Sequence, residues 1–168
     1  MIEKEIEIKV LGYSLDELKN MVEGLGAEFQ GVEEQSNYRF ETPKVKEDSY
    51  LRLRVTDKYS EFTFKKRLAS EGARTNSELT TKIKDPNTFL KIMDEIGMSY
   101  SLQKKTRYKY LLDSFVFDID LWDKDVYPYP YLEIEAASQE DLDNILTRLN
   151  IPKENISTKS IGELINEL

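Results

Sequence analysis

The run Glu3-Lys4-Glu5-Ile6-Glu7-Ile8-Lys9-Val10 constrains this chain more than any other stretch. Strand side chains point to alternate faces. Glu3, Glu5, Glu7 and Lys9 therefore share one face, and Ile6, Ile8 and Val10 the other. Three carboxylates along one strand face repel one another, and a lone strand of this kind would show them to water. Here the same alternation returns in almost every later strand, so a whole sheet has one charged face and one apolar face.

Over residues 49–56, Leu51, Leu53 and Val55 oppose Arg52 and Arg54; beyond a turn at 57–60, Phe62 and Phe64 oppose Thr63 and Lys65 in a strand over 61–67. A strand over 74–83 carries Arg74, Asn76, Glu78 and Thr80 in one phase. A hairpin across Asp113-Ser114 joins a strand at 102–112, bearing Lys105, Arg107 and Lys109, to one at 115–122, bearing Asp118 and Asp120. The last strand, 131–136, sets Glu133 and Glu135 against Leu132 and Ile134. A further strand is expected at 33–40, with a polar loop containing Pro43 at 42–48 and a loop with Gly72 at 68–73.

Helices are marked by their caps. Ser14 with Glu17 makes a capping box before Leu15, Leu18, Val22 and Leu25, and Gly26 supplies the stop. Asp85-Pro86 opens a helix with Phe89, Leu90, Met93 and Ile96 on one stripe. Ser138 caps a helix carrying Leu142, Ile145, Leu146 and Leu149, and Ser160 a short C-terminal one. Roughly eight strands with few helices fit an α+β domain spanning residues 1–168, a closed eight-stranded antiparallel β-barrel with helices packed outside. The helices would bury their apolar stripes on the outer face of the sheet, turning the charged face into the lumen.

Composition narrows the chemistry. The 168-residue chain has a formal net charge of -8, which argues, as far as a total can, against nucleic acid or an anionic membrane as partner. It contains neither cysteine nor histidine, so thiol nucleophiles, imidazole bases and Cys/His zinc sites are closed. No secretory leader or membrane span is visible, and a cytoplasmic protein is the expectation.

A lumen lined by Arg and Lys would be prohibitively costly if dry and unpaired. It becomes sensible if it is wet and takes a highly charged anion with metal ions. Arg52, Arg54, Lys65, Arg74, Lys105 and Arg107 suit phosphate oxygens. Glu5, Glu7, Glu78, Asp118, Asp120, Glu133 and Glu135 are oxygen ligands of the kind Mg2+ or Mn2+ requires. Lys9 is a candidate base for a reacting water or a phosphate contact. The plainer alternative is an exposed sheet whose charges pair across strands, each pair worth under about 1 kcal/mol.

Glu5-Ile6-Glu7-Ile8-Lys9 resembles the ExExK signature of the CYTH superfamily, the triphosphate tunnel metalloenzymes. Leu51-Arg52-Leu53-Arg54 is similar to that family's LRxR strand and Thr63-Phe64-Lys65 to its TxK strand. Arg74 with Glu78 resembles its R-x-E-x-E strand, and Lys105-Thr106-Arg107 its second basic strand. Phe117-Asp118 resembles the strand bearing an acidic ligand, Leu132-Glu133-Ile134-Glu135 the closing strand, and Lys159 to Ile165 the terminal helix. Any one motif is weak; together, in this order over nearly the whole chain, they are specific. Departures are Asn76 and Thr80 where carboxylates are usual, Asn37 where Asp is common, and Tyr127-Pro128-Tyr129-Pro130-Tyr131 where a glycine is usual. Packing at the tunnel mouth is the reading taken for those tyrosines, over stacking on a base.

The resemblance implies an eight-stranded tunnel, divalent metal, and a linear triphosphate as small-molecule substrate. Glu5, Glu7 and Lys9 are then the catalytic candidates. The leading expectation is a triphosphate hydrolase acting on inorganic tripolyphosphate or on a nucleoside or thiamine triphosphate. A class IV adenylate cyclase converting ATP to cyclic AMP and pyrophosphate is the alternative, and a non-catalytic polyphosphate- or nucleotide-binding module the second. A homodimer stays open.

Overall fold

β1 (Glu3–Val10) is held on both sides: antiparallel to β8 (Tyr131–Ala136) along one edge and to β5 (Arg74–Lys82) along the other. That double pairing closes the sheet. Between them run β2 (Glu28–Glu41), β3 (Ser49–Val55), β4 (Ser60–Leu68), β6 (Ser99–Leu112) and β7 (Phe115–Trp122). The ring order is β5-β4-β3-β2-β6-β7-β8-β1 and back to β5, with every neighbouring pair antiparallel. The computed structural model describes residues 3–41, 49–68 and 72–168. The loop expected at 42–48, and 69–71 within the one expected at 68–73, lie outside these. A two-residue strand, β9 (Ile156–Ser157), adds to the end of β1.

The caps read from sequence are in place. Ser14 and Glu17 exchange both bonds of the capping box at the start of α1 (Leu15–Gly24), and Ser160 with Glu163 does the same for α4 (Ile161–Ile165). Asp85 accepts from the Thr88 amide, with Pro86 opening α2 (Pro86–Glu95). Ser138 caps α3 (Gln139–Leu149). Among the described residues no helix is long and apolar enough to cross a membrane.

Two strands run longer than their alternation suggests. β2 begins at Glu28 rather than Glu33, and β6 at Ser99 rather than Leu102. Gly31, at φ +120, shifts the register between Phe29 and Gly31 and carries pairing across a stretch whose hydrophobic phase is broken.

The core lies outside the ring, on one half of it. Ile8, Val10, Phe117, Ile119, Leu132 and Ile134 face out from β1, β7 and β8 and pack under Leu18 and Val22 of α1 and Leu142 and Ile145 of α3. α2 departs from expectation, for it has no buried residue. Phe89 meets Phe62 at a centroid distance of 4.8 Å and Phe40 at 6.2 Å, while Ile96 of the predicted stripe stays exposed. A ten-residue helix is too small to cover the outward faces of β2 to β6.

This asymmetry predicts unequal mutational costs. Ile134 is fully buried between Ile8 and Phe117, and Ile134→Ala is expected to lower unfolding free energy by about 2–5 kcal/mol. Leu90→Ala on the half-buried face of α2 is expected to cost under about 2 kcal/mol. Urea denaturation of both variants checks the ranking.

Candidate functional site

The charged face of each strand points inward. The lumen is a cavity of about 1240 Å³, and every candidate named from sequence except Asp120 lines it. α4 lies across one end of the ring. There Leu164 packs with Tyr127 and Tyr131, and Glu163 reaches Arg67 at 3.1 Å and Arg74 at 3.6 Å. Tyr127 and Tyr131 are thus buried packing residues, whereas Tyr129 is exposed.

Carboxylates gather on three adjacent strands. Glu7 stands opposite Glu135 across β1 and β8, and Asp118 opposite Glu133 across β7 and β8. Two groups bring carboxylate oxygens within 4.8 Å of one another: Glu5, Glu7 and Glu135, and Asp118, Glu133 and Glu135. Glu135 belongs to both. Burial raises its pKa to about 8, and Glu5, Glu133 and Asp118 push it the same way. Burial also raises Glu5, to about 7, against the pull of Lys65. Hard oxygen donors, crowded and reluctant to ionise together, fit a divalent cation such as Mg2+ or Mn2+.

Several cations are already engaged on this wall. Lys65 Nζ lies 2.7 Å from Glu5, 2.7 Å from Glu78 and 3.4 Å from Glu7. Lys9 Nζ lies 2.7 Å from Glu133. Burial works against the Lys9 charge, but Glu133 and Glu7 outweigh it and raise its pKa. Of the two roles open to Lys9, this geometry suits a cation contacting phosphate better than a base. Arg74 Nε lies 3.5 Å from Glu7 and donates to Asn76 Oδ1 at 3.1 Å.

Asp120 and Glu78, both expected as metal ligands, lie outside the two carboxylate groups. Asp120 is fully buried and takes a two-pronged pair from Arg107, 2.7 Å at each oxygen. It also accepts from Lys105 at 2.5 Å and from the Tyr131 hydroxyl at 3.2 Å. Arg107 additionally bonds Asp118 and reaches Glu133 at 3.3 Å. Burial, reinforced by Arg107, nevertheless lowers the Lys105 pKa to about 7. Glu78 is bound to Lys65.

The opposite wall is different. Arg54 donates through Nε to the neutral amide of Asn37 at 3.2 Å, with Glu61 no nearer than 3.4 Å. Burial, with Arg52 and Arg107 nearby, lowers its pKa. Arg52 makes no ion pair with the described residues, and its buried Nε has no hydrogen-bond partner. Arg39 stands directly opposite Arg52 across β2 and β3. These cations are short of anions.

Sequence reasoning missed Arg39, Arg67, Lys82 and Glu163, and left Lys109, which it placed on the charged face, out of the candidates; all five line the lumen. The four cations continue the two-residue alternation of strands already recognised and could have been found by extending it. Glu163 sits in a helical cap, and no strand pattern points to it.

Solved structures of other proteins share this ring. The PH1012 protein of Pyrococcus horikoshii is 29% identical over 96% of this chain and 99% of its own, with a TM-score of 0.80. A conserved hypothetical protein of Pyrococcus furiosus is 22% identical over 95% and 99%, at 0.79. An adenylyl cyclase candidate from Hippeastrum, with a dominant triphosphatase activity of its own, is 18% identical over 98% and 95%, at 0.67. No curated protein matches the chain. The profile of the CYTH domain matches residues 3–161, from the ExExK strand into α4, and the chain belongs to the CYTH domain family.

Proposed function

We propose that this chain is a divalent-metal-dependent hydrolase of a linear triphosphate held lengthwise in the lumen. One observation carries the reading: anion-poor arginines, Arg52 and Arg54, face crowded carboxylates across one cavity. The arginines grip phosphate oxygens, with Lys65, Arg74, Lys105 and Arg107 adding contacts and Lys9 donating from the carboxylate wall. Glu5, Glu7 and Glu135 would hold one cation, and Asp118, Glu133 and Glu135 a second. Bound there, Mg2+ or Mn2+ supplies charge screening and activation of the attacking water. A purely binding module would have use for the cations and little for these carboxylates.

Cyclisation of ATP needs a surface for adenine. The aromatic rings lining the lumen are otherwise engaged: Tyr50 lies under Arg39 at 5.1 Å, Trp122 under Lys105 at 4.9 Å, and Tyr131 is buried. That favours hydrolysis over cyclase chemistry. Incubation with tripolyphosphate, ATP and thiamine triphosphate, followed by product identification, tests it. Orthophosphate release that needs Mg2+ or Mn2+ and stops with chelator is expected. Cyclic nucleotide plus pyrophosphate, or full activity in excess chelator, would overturn it.

Two substitutions separate the walls. Arg54→Ala removes a charge-assisted contact worth about 1.5–3 kcal/mol, so KM should rise roughly tenfold or more with kcat less affected. Glu7→Gln keeps size and removes a ligand charge; kcat should fall by about a hundredfold or more while tripolyphosphate still binds. Steady-state kinetics with calorimetry reads both.

The raised carboxylates also set a pH dependence. Between about pH 5 and 7 the folded chain holds protons on Glu5 and Glu135 that the unfolded chain releases near 4.5. Folded-state proton excess makes stability fall as pH rises through that window. Carboxylates held below their ordinary range are ionised throughout it, Lys105 contributes only above about 7, and no histidine intervenes. The metal-free protein should therefore melt at least a few degrees lower at pH 7 than at pH 5.5, and added Mn2+ should recover more of the loss at pH 7. A flat thermal profile would contradict the assignment.

A further inference from the structure

β2 runs between β3, which brings Arg52 and Arg54 to the lumen, and β6, which brings Lys105 and Arg107. At the level of Asn37, register sets Arg54 on one side and the neutral Gln103 on the other. Asn37 lines the cavity and is 4% exposed. Its Oδ1 accepts from Arg54 Nε at 3.2 Å. Its Nδ2 is buried, with no hydrogen-bond partner among the described residues.

Stability alone argues against an amide at this position. A buried donor left without a partner costs free energy. Aspartate has nearly the same shape, would remove that donor, and would pair its charge with a buried guanidinium. Arg54 has need of such a partner. Burial lowers its pKa, Arg52 and Arg107 push it the same way, and the one carboxylate in reach, Glu61, stands 3.4 Å away.

The amide does one thing that a carboxylate cannot: it fixes the guanidinium without cancelling its charge. A donor held in place before its ligand arrives loses less freedom on binding. The carboxylate wall repeats the contact under a different balance. There Arg74 donates through Nε to Asn76 Oδ1 at 3.1 Å, but Glu7 and Glu163 lie 3.5 and 3.6 Å from its guanidinium. Arg54 has a single, shared carboxylate, since Glu61 also stands opposite Lys82.

On the reading of the lumen as a triphosphate site, we propose that Asn37 is a positioning residue. It holds Arg54 for a phosphate oxygen through an uncharged hydrogen bond, at the expense of the stability that an ion pair would add.

Calorimetric titration of inorganic tripolyphosphate into the metal-free full chain, with steady-state kinetics in Mg2+, tests this. Asn37→Leu keeps the size and removes the acceptor; Kd and KM should rise about tenfold, with kcat within about threefold. In an Arg54→Ala background the same change should move Kd by less than about twofold, because Asn37 acts through Arg54. Asn37→Asp should raise the melting temperature of the ligand-free chain by about a few degrees and still weaken Kd at least about tenfold. A purely structural role predicts the first effect without the second. An Asn37→Leu chain that binds as tightly as the unmodified one, or an equal loss with and without Arg54, would overturn the assignment. So would an Asn37→Asp chain that melts no higher or binds undiminished, and this variant decides the matter if Asn37→Leu does not fold. Each of these results leaves the triphosphate reading standing; an unmodified chain that takes up no tripolyphosphate would remove both.

Discussion

The cost of taking charge out of water governs this structure. An ion buried alone costs several kcal/mol, and burial becomes tolerable only when partners surround it. On the carboxylate wall that condition is met closely. Lys65 is held by three carboxylates, and Arg107 by Asp118, Asp120 and Glu133. On the arginine wall it is met less fully: Arg54 has the neutral Asn37 amide at 3.2 Å and one carboxylate, Glu61, at 3.4 Å, and Arg52 has no ion pair among the described residues. The free protein therefore carries an electrostatic deficit on one side and crowded carboxylates on the other. In the proposed function a polyanion answers the first and a divalent cation the second. Bound together, the two also attract one another.

This division explains which residues were legible in the sequence. Alternation within a strand reveals which side chains share a face, so the lumen set from Glu5 to Glu135 could be read directly. It does not reveal what stands across the lumen or on the next strand. Asp118 and Asp120 look identical in the sequence, both acidic and in one phase. Register sets Asp118 opposite Glu133 and Asp120 opposite Tyr131. The first joins a carboxylate group, and the second becomes the anchor for Lys105 and Arg107. Pairing is a tertiary fact, and only register supplies it.

The fold was legible where local chemistry is strong. Capping residues placed all four helix starts, because a cap satisfies backbone donors at a fixed spacing. The first residues of β2 were not legible, because Gly31 breaks the side-chain phase while the backbone continues to pair. The incomplete cover of α2 was hidden for another reason. Its stripe is a proper amphipathic pattern, and periodicity says which side faces the sheet without saying how much of the sheet remains bare.

One strand ties fold to site. β1 is the last partner needed to close the ring, since it alone joins β8 to β5. The same pairing brings Glu7 opposite Arg74 on one side and opposite Glu135 on the other. Until β1 docks, neither carboxylate group containing Glu135 faces a complete lumen. Once it docks, two carboxylates oppose each other directly at the seam, an arrangement that costs free energy on its own. A divalent cation held between these carboxylates would relieve that cost at the seam. Occupying the site and closing the barrel draw on the same contacts, so affinity for the cation and stability of the fold must rise and fall together.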